Sequence, residues 1–295
     1  MTQFFEYNAF PEGDNKRMAG PLWPDFNPQS DMSKKMVNAK RVNDSTFWNK
    51  MREVFAHDIE TLPLERFKAW ASVMTVPLMS NSKHSQYIRI ALNALTKDEV
   101  YANALLEPKI GMNDEDFSSF YNMFSDFPTT MNRIQCYSHL AICGYDKDFL
   151  KDAKKIVEIG AGVGDMADII HKLGFEGEYV IYDLPELCKI QEWYHTQLGM
   201  DILHTNEVDD LLEDADLVIA TWSLTEMPFE LRESVVSKLL TTKNWLLAYS
   251  KEIFGFDNEE WIQNFIERFP NSHINITEIP FMGWDGGTNY LTIKA

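Results

Sequence analysis

The stretch that decides the fold is KKIVEIGAGVGDMADIIHKLG, residues 154–174. Its first half is β-branched and apolar, as a buried strand requires, and its last ten residues carry apolar positions at helical spacing. Between them stand Gly160, Gly162 and Gly164, alternating with Ala161 and Val163. Glycines there let the chain turn sharply and let a ligand approach bare main chain. The helix that follows aims free N–H groups and a partial positive charge back at the turn.

Which ligand fits is read from the spacing and the neighbouring charges. A dinucleotide turn runs G-x-G-x-x-G and seats pyrophosphate on the helix N-terminus. Here the third glycine comes one residue early, and Asp165 opens the helix where a phosphate would be repelled. Glu158, on the strand, adds a second acid. The turn therefore reads as better built for a ligand with a cationic centre. Downstream, YVIYDLPEL ends a second strand at Asp183, 19 residues after Gly164. A carboxylate there can accept hydrogen bonds from both hydroxyls of a ribose. Leu184 can cover an adenine face, and Pro185 can open a helix without losing a needed N–H. A plain helix N-cap is the alternative for Asp183.

Working outward, short apolar runs alternate with helical stretches through residues 149–295. Runs at 155–160, 179–184, 201–205, 215–221 and 244–250 are separated by helices near 164–173, 185–198, 207–213 and 228–240, with a further helix at 257–269. That alternation predicts an α/β fold, a parallel sheet with helices on both faces. Two last runs, 273–279 and 289–294, are joined by too short a loop for a crossover, which predicts an antiparallel hairpin on one edge. Residues 45–148 read as helical, with segments at 45–60, from Pro63, at 84–95, 97–106 and 114–124, and from Pro128 to Gly144. Residues 1–44 hold Pro11, Pro21, Pro24 and Pro28 without periodicity. They read as an extended arm of the sort that reaches a neighbouring subunit, compatible with a homodimer.

Charge narrows the partners. The 295 residues carry 27 Lys/Arg and 45 Asp/Glu, a net of −18. Residues 149–295 hold 11 of the bases and 26 of the acids, a net of −15. Such a surface repels a phosphate backbone, which argues against nucleic acid as a partner. No apolar run is long enough for a membrane span and no leader is evident, so a cytoplasmic protein is expected. Cys136, Cys143 and Cys188 read as reduced, buried thiols, and no cluster with metal-ligand spacing is seen.

Taken together, VEIGAGVG, Asp183 and the terminal hairpin resemble the class I S-adenosylmethionine-dependent methyltransferases, over roughly residues 150–295. The set EIGAGVGDMA, YVIYDLPEL and SLTEMP is most similar to bacterial sugar O-methyltransferases. The resemblance implies a Rossmann-like seven-stranded, mostly parallel sheet with an antiparallel last strand. It also implies an S-adenosylmethionine cofactor and a small-molecule hydroxyl acceptor. Plant-type relatives share the D-L-P but carry His-Asp-Trp where this chain reads TWSLTEMP, which argues against an aromatic hydroxyl with a histidine base in that segment. On the same footing Glu158, Gly160, Ala161, Gly162, Gly164, Asp183 and Leu184 would hold the cofactor. Asn206 and Glu207 would meet the adenine, with a helix cap as the alternative, and Thr221, Trp222 and Ser223 would line the methionine side, with plain core as the alternative for the last two.

An alcohol is a poor nucleophile, so a base should take its proton as it attacks. Glu226, just past the fourth strand, is the first candidate by position, with a first-turn helix acid or a ligand-binding carboxylate as its alternatives. His84, in SNSKHSQY, is the second. His139 lies in an apolar helix and reads as a satisfied core histidine. Arg133 and Tyr137 share a helix face at i, i+4 and could reach the cofactor carboxylate or the substrate, with helix-packing polar contacts as the alternative. Asp285, in GWDGGTN, could close over the substrate, or simply serve the turn. Two rival readings remain: an NAD-dependent oxidoreductase, disfavoured by the early third glycine and Asp165, and a nucleoside-binding protein that keeps the fold without turnover.

Overall fold

The computed structural model describes residues 46–75, 85–116, 127–253, 256–279 and 288–295. Within them the order of elements is as follows. Helix α1 (Thr46–Thr61) leads to a 3-10 turn (Leu64–Ala69) and to α2 (Ala71–Thr75), α3 (Ser85–Leu95), α4 (Glu99–Leu105), α5 (Met131–Ile142) and α6 (Lys147–Asp152). Then come β1 (Lys155–Ile159), α7 (Asp165–Lys172), β2 (Glu178–Tyr182), α8 (Pro185–Gln197), β3 (Leu203–Thr205) and β4 (Leu217–Thr221). The chain continues through α9 (Ser223–Glu226), α10 (Phe229–Lys238), β5 (Asn244–Ser250), β6 (Glu252–Ile253), β7 (Phe256–Asp257), α11 (Asn258–Ile266), β8 (His273–Glu278) and β9 (Thr288–Lys294).

Seven strands form one sheet in the order β3-β2-β1-β4-β5-β9-β8, and β6 pairs with β7 separately. The first five are parallel, each set by its apolar register: Val157 lies beside Val180 on β2 and Val218 on β4. Strand β9 inserts antiparallel between β5 and β8, from Asn244 opposite Lys294 to Ser250 opposite Thr288. This is the predicted arrangement, a parallel sheet closed by an antiparallel hairpin.

Both sheet faces are buried, as parallel strands require. On one face Ile156, Ile181, Ile219, Leu246 and Tyr290 share a core with Met166, Ile169 and Ile170 of α7 and Ile134 and Leu140 of α5. That core also takes in Tyr87 and Ile88 of α3 and Ala104 and Leu105 of α4, so the helical half packs directly on the sheet half. On the other face Val157, Val218, Trp245 and Leu247 meet Val235 and Val236 of α10 and Trp261, Ile262 and Phe265 of α11. Trp245 is fully buried against Phe265 and Phe269. Cutting such a side chain back to alanine costs about 3–5 kcal/mol. A third cluster joins Phe47, Met51, Phe55, Phe67 and Trp70 to Leu187, Ile190 and Tyr194 of α8. Helix α1 thereby lies over the sheet half.

Local chemistry explains the helix ends. Thr130 caps α5 by accepting from the Arg133 N–H at 3.2 Å, so this helix starts at Met131 and not at Pro128. Helix α7 begins with Asp165 and Asp168 and ends with His171 and Lys172. Each sign lies at the end the helix dipole favours. The helix expected from Pro63 is instead a 3-10 turn and a separate short helix, because Trp70 is extended at ψ 141°. Phe67, Trp70 and Val73 are buried all the same. The helix expected at 207–213 shrinks to one 3-10 turn, Val208–Asp210. Its acids would crowd the negative end of a longer helix, and Asp210 takes the Thr205 hydroxyl at 2.6 Å instead. The segment expected at 114–124 falls largely outside the described residues, and the 148/149 junction falls inside α6.

Candidate active site

The carboxyl ends of β1, β2 and β4 come together where the strand order reverses, between β1 and β4. That switch point is where open α/β sheets bind ligands. Gly160, Gly162 and Gly164 follow β1 with φ of 72°, 59° and 88°. This is a left-handed region that side chains rarely adopt. Two of the three are also crowded. A Cβ on Gly160 would stand 2.2 Å from Ser223 Cβ, and one on Gly164 would stand 2.8 Å from the His195 ring. The loop is closed by the Gly164 N–H to Ala161 oxygen at 2.9 Å.

Asp183 sits beyond the end of β2, half-buried, and is tied to that loop through Gln191. The Gln191 amide nitrogen donates to Gly162 oxygen at 2.9 Å and to Asp183 Oδ2 at 2.7 Å, while the Leu184 N–H donates to Oδ1 at 2.8 Å. Burial pushes the Asp183 carboxyl up to about 6, opposed by Gln191 and the N–H groups of Leu184, Ala161 and Gly162. It is ionised at pH 7. The carboxylate thus lies at the bare turn, with the Gln191 amide on Oδ2, the Leu184 N–H on Oδ1, and the Ala161 and Gly162 N–H groups also directed at it. The helix N-cap position belongs to Leu184, so Asp183 does not cap α8 in the ordinary sense. Gln191 carried no signal in the sequence beyond helical spacing. Its Oε1 is buried without a hydrogen-bond partner among the described residues.

The two acids flanking the turn do not set its charge. Asp165 is fully buried and held by Lys68 Nζ at 2.8 Å, Arg133 at 3.5 Å, the Asn132 amide at 2.7 Å and the Tyr194 hydroxyl at 2.9 Å. Burial would raise its pKa, but Lys68 and Arg133 hold it far below the usual carboxylate range. Glu158 is buried under the Tyr179 hydroxyl at 2.8 Å, and burial pushes it up to about 8, so it is mostly neutral at pH 7. The electrostatic objection to pyrophosphate therefore falls. What remains is the glycine spacing and one ionised carboxylate, Asp183.

Arg133 is likewise corrected. It does not face the crevice: it is fully buried, donates to the Ala104 carbonyl at 2.5 Å and pairs with Asp168 at 2.8 Å. Tyr137, one turn on, is buried against Tyr101 with ring centroids 5.9 Å apart. The buried network ends on Glu107, which receives Lys68 at 2.8 Å and the Thr130 hydroxyl at 3.1 Å. Lys68 thus bolts the helical half to the first turn of α7.

Past β4 the chain turns at Trp222, which has a φ of 66° and a ψ of −31°. That conformation is costly for a residue with a side chain. Its N–H is held by Ala248 oxygen at 2.6 Å. The Ser223 hydroxyl donates to Ile159 oxygen, so it braces the glycine turn from behind. Thr221, the last residue of β4, is half-buried beside Ala248 of β5. Asn206 and Glu207 are exposed past β3, next to Asp183 in the sheet order, and bond to each other at 3.2 Å. Glu226, 9% exposed, accepts the Trp48 indole N–H at 3.1 Å. Burial, against that single bond, pushes its carboxyl up to about 8. His84 and Asp285 lie outside the described residues. Among the described residues no group of three His, Cys, Asp or Glu is placed to hold a metal ion, and no helix is long and apolar enough to cross a membrane.

No protein-family model matches the chain, and no curated protein matches it. Among solved structures it is similar to the methyltransferase domain of a bacterial Hen1, at 11% identity over 55% of this chain and 97% of that one, with a TM-score of 0.44. It is similar to the magnesium protoporphyrin IX methyltransferase ChlM of Synechocystis PCC 6803 with bound S-adenosylmethionine, at 12% identity over 73% and 100% and a TM-score of 0.43. The mitomycin 7-O-methyltransferase MmcR shares 12% identity over 76% and 70%, with a TM-score of 0.41.

Proposed function

We propose that the chain is an S-adenosylmethionine-dependent O-methyltransferase acting on a small-molecule hydroxyl. A sugar or sugar-containing metabolite is the class favoured by the resemblance of EIGAGVGDMA, YVIYDLPEL and SLTEMP. The observation that carries the reading is the single unit made by the three left-handed glycines, Gln191 and Asp183. Asp183 offers an ionised carboxylate to which a ribose diol can donate, and the bare turn beside it admits an amino-acid tail. The cofactor, when bound, supplies an activated methyl group. The protein's part is to hold the acceptor in line with that methyl, which can be worth several orders of magnitude in rate. The helical half, packed over the crevice through α1 and α5, chooses the acceptor. Glu226 is mostly protonated at pH 7 and donates a hydrogen bond to the acceptor there; only near pH 8 and above does it become a base. Free thiols at Cys136, Cys143 and Cys188 suit a cytoplasmic enzyme.

The test is calorimetric titration with S-adenosylhomocysteine and, separately, with NAD, followed by incubation with methyl-labelled S-adenosylmethionine and a panel of sugars and nucleotide sugars. Micromolar binding of the homocysteine adduct, none of NAD, and label transferred to a hydroxyl are expected. Binding of NAD alone would overturn the proposal.

A further inference from the structure

The large sheet ends in two unlike edges. Strand β3, at one end, is three residues long, whereas β8, at the other, is six and pairs with β9 without a bulge from His273 to Glu278. An open edge draws another strand, and proteins commonly blunt it with brevity, Pro, Lys or a bulge. Strand β8, HINITE, has none of these, and its one carboxylate stands at the last position. Five of its residues are exposed and only Ile274 is half-buried, while Ile276 is 42% exposed. No strand among the described residues covers its outer side.

The pleat sets what that side offers. The Ile279 N–H donates to Thr288 oxygen at 2.7 Å, so Ile279, Thr277, Asn275 and His273 turn their main-chain groups toward β9. Ile274, Ile276 and Glu278 turn theirs outward. The side chains of these three share one sheet face, on which Ile274 packs against the core formed with α10 and α11. His273, Asn275 and Thr277 share the other face. About Asn275 the strand matches its own reverse in residue type, with Ile on either side and a polar residue beyond each.

We propose that two copies of this chain pair antiparallel through β8, about a two-fold axis at Asn275, and so continue their sheets into one. A two-fold interface sets one patch against itself, so the strand must complement its own reverse. With Asn275 on the axis, Ile274 lies opposite Ile276 of the partner subunit, and Ile276 opposite Ile274 of the partner subunit. All four turn their main-chain groups outward, so each such pair exchanges two N–H to oxygen bonds. Their side chains make one apolar patch that extends the core of both copies. On the other face Asn275 meets its own copy, His273 meets Thr277 of the partner subunit, and no like charges stand opposite. Moving the axis one residue, to Ile276, keeps the main-chain bonds but sets Ile274 against Glu278 of the partner subunit. The side chains therefore select the register centred on Asn275. Strand β8 stands at the edge of the sheet, away from the switch point between β1 and β4, so the pairing holds whatever the crevice binds.

The experiment is sedimentation velocity of the full chain from micromolar to about 100 µM. Salt of about 0.15 M screens charge beyond roughly 8 Å, since each copy carries a net −18. A monomer–dimer equilibrium is expected, and Ile276→Lys, a change at an exposed position, should weaken it at least tenfold. Asn275→Cys brings two thiols into a non-hydrogen-bonded pair, with about 4.5 Å between Cα atoms, within the reach of a disulfide. Mild oxidation should therefore give a cross-linked dimer on a non-reducing gel. Thr277→Cys sets its two thiols roughly 13 Å apart along the strands and should not cross-link, nor should the parent with Cys136, Cys143 and Cys188. A monomer at every concentration overturns the inference. So does a dimer that Ile276→Lys leaves intact, because the interface then lies elsewhere. Failure of Asn275→Cys to cross-link, or equal cross-linking of Thr277→Cys, overturns it as well.

Discussion

Lys68→Met removes a fully buried cation and leaves its two carboxylates in place. Lys68 Nζ reaches Glu107 and Asp165 at 2.8 Å each and the Tyr194 hydroxyl at 3.1 Å, and lies 4.3 Å from the Tyr194 ring centre. Breaking a buried pair by deleting one partner costs about 3–5 kcal/mol, because the other charge stays buried. Asp165 keeps Arg133, Asn132 and Tyr194, and Glu107, left with the Thr130 hydroxyl, can shed its charge by taking up a proton, so the loss should fall near the lower figure. With an unfolding entropy of about 0.6 kcal/mol per kelvin for a chain this long, that is a fall in Tm of roughly 5 °C.

The pH dependence has a definite sign. Burial already raises the Glu107 pKa in the fold, against the pull of Lys68, and loss of Lys68 raises it further. A carboxyl that is neutral when folded and ionised when unfolded costs stability as pH rises. The gap between variant and parent should therefore widen as pH rises above the ordinary carboxylate range, and Lys68→Met with Glu107→Gln should recover more than half of it. Differential scanning calorimetry at several pH values reads all three quantities. A fall of less than about 2 °C, or a gap that neither depends on pH nor responds to Glu107→Gln, refutes the reasoning.

Gly160→Ala meets both a left-handed φ and Ser223 at 2.2 Å. Adding Ser223→Gly should relieve the collision but leave about 1 kcal/mol of backbone cost, seen by thermal denaturation. Asp183→Ala should weaken S-adenosylhomocysteine by about 1–3 kcal/mol, or roughly 5–150-fold, in a calorimetric titration. Unchanged affinity would assign Asp183 to loop bracing alone. Trp48→Phe removes the one hydrogen bond that favours the Glu226 anion, so carbon-13 NMR should show its midpoint rising beyond about 8; a fall would reverse the assigned cause. With protonated Glu226 donating to the acceptor, turnover in the parent protein should fall as pH rises through about 8; a climb over that range would make Glu226 the base.

Much of the sheet was legible because its strands are short β-branched runs broken by glycine, proline and acids, and because the short loop before the last strand cannot hold a crossover helix. The glycine turn and Asp183 were legible for the same local reason: their chemistry depends on near neighbours along the chain. The charge of the site was not. Asp165 and Glu158 look alike as acids on either side of the turn, yet Lys68, 97 residues away, keeps one ionised, and burial makes the other neutral. Nothing in LERFKAW marks Lys68 as a core residue, since a 3-10 turn puts it on a face that helical spacing would send to solvent. Gln191 escaped similarly: it matters through partners brought from other elements, and single-chain periodicity sees only one side of such a contact.

Trp222 holds a positive-φ conformation that glycine would adopt without effort. The cost to a residue with a side chain is of order 1–3 kcal/mol. Its indole nevertheless lies against His139. Trp222→Gly would release that cost but forfeit the packing of the indole on the core, worth about 3–5 kcal/mol for a buried tryptophan, so the variant should melt below the parent. At this one position an awkward backbone is kept because the side chain it carries repays it in contact.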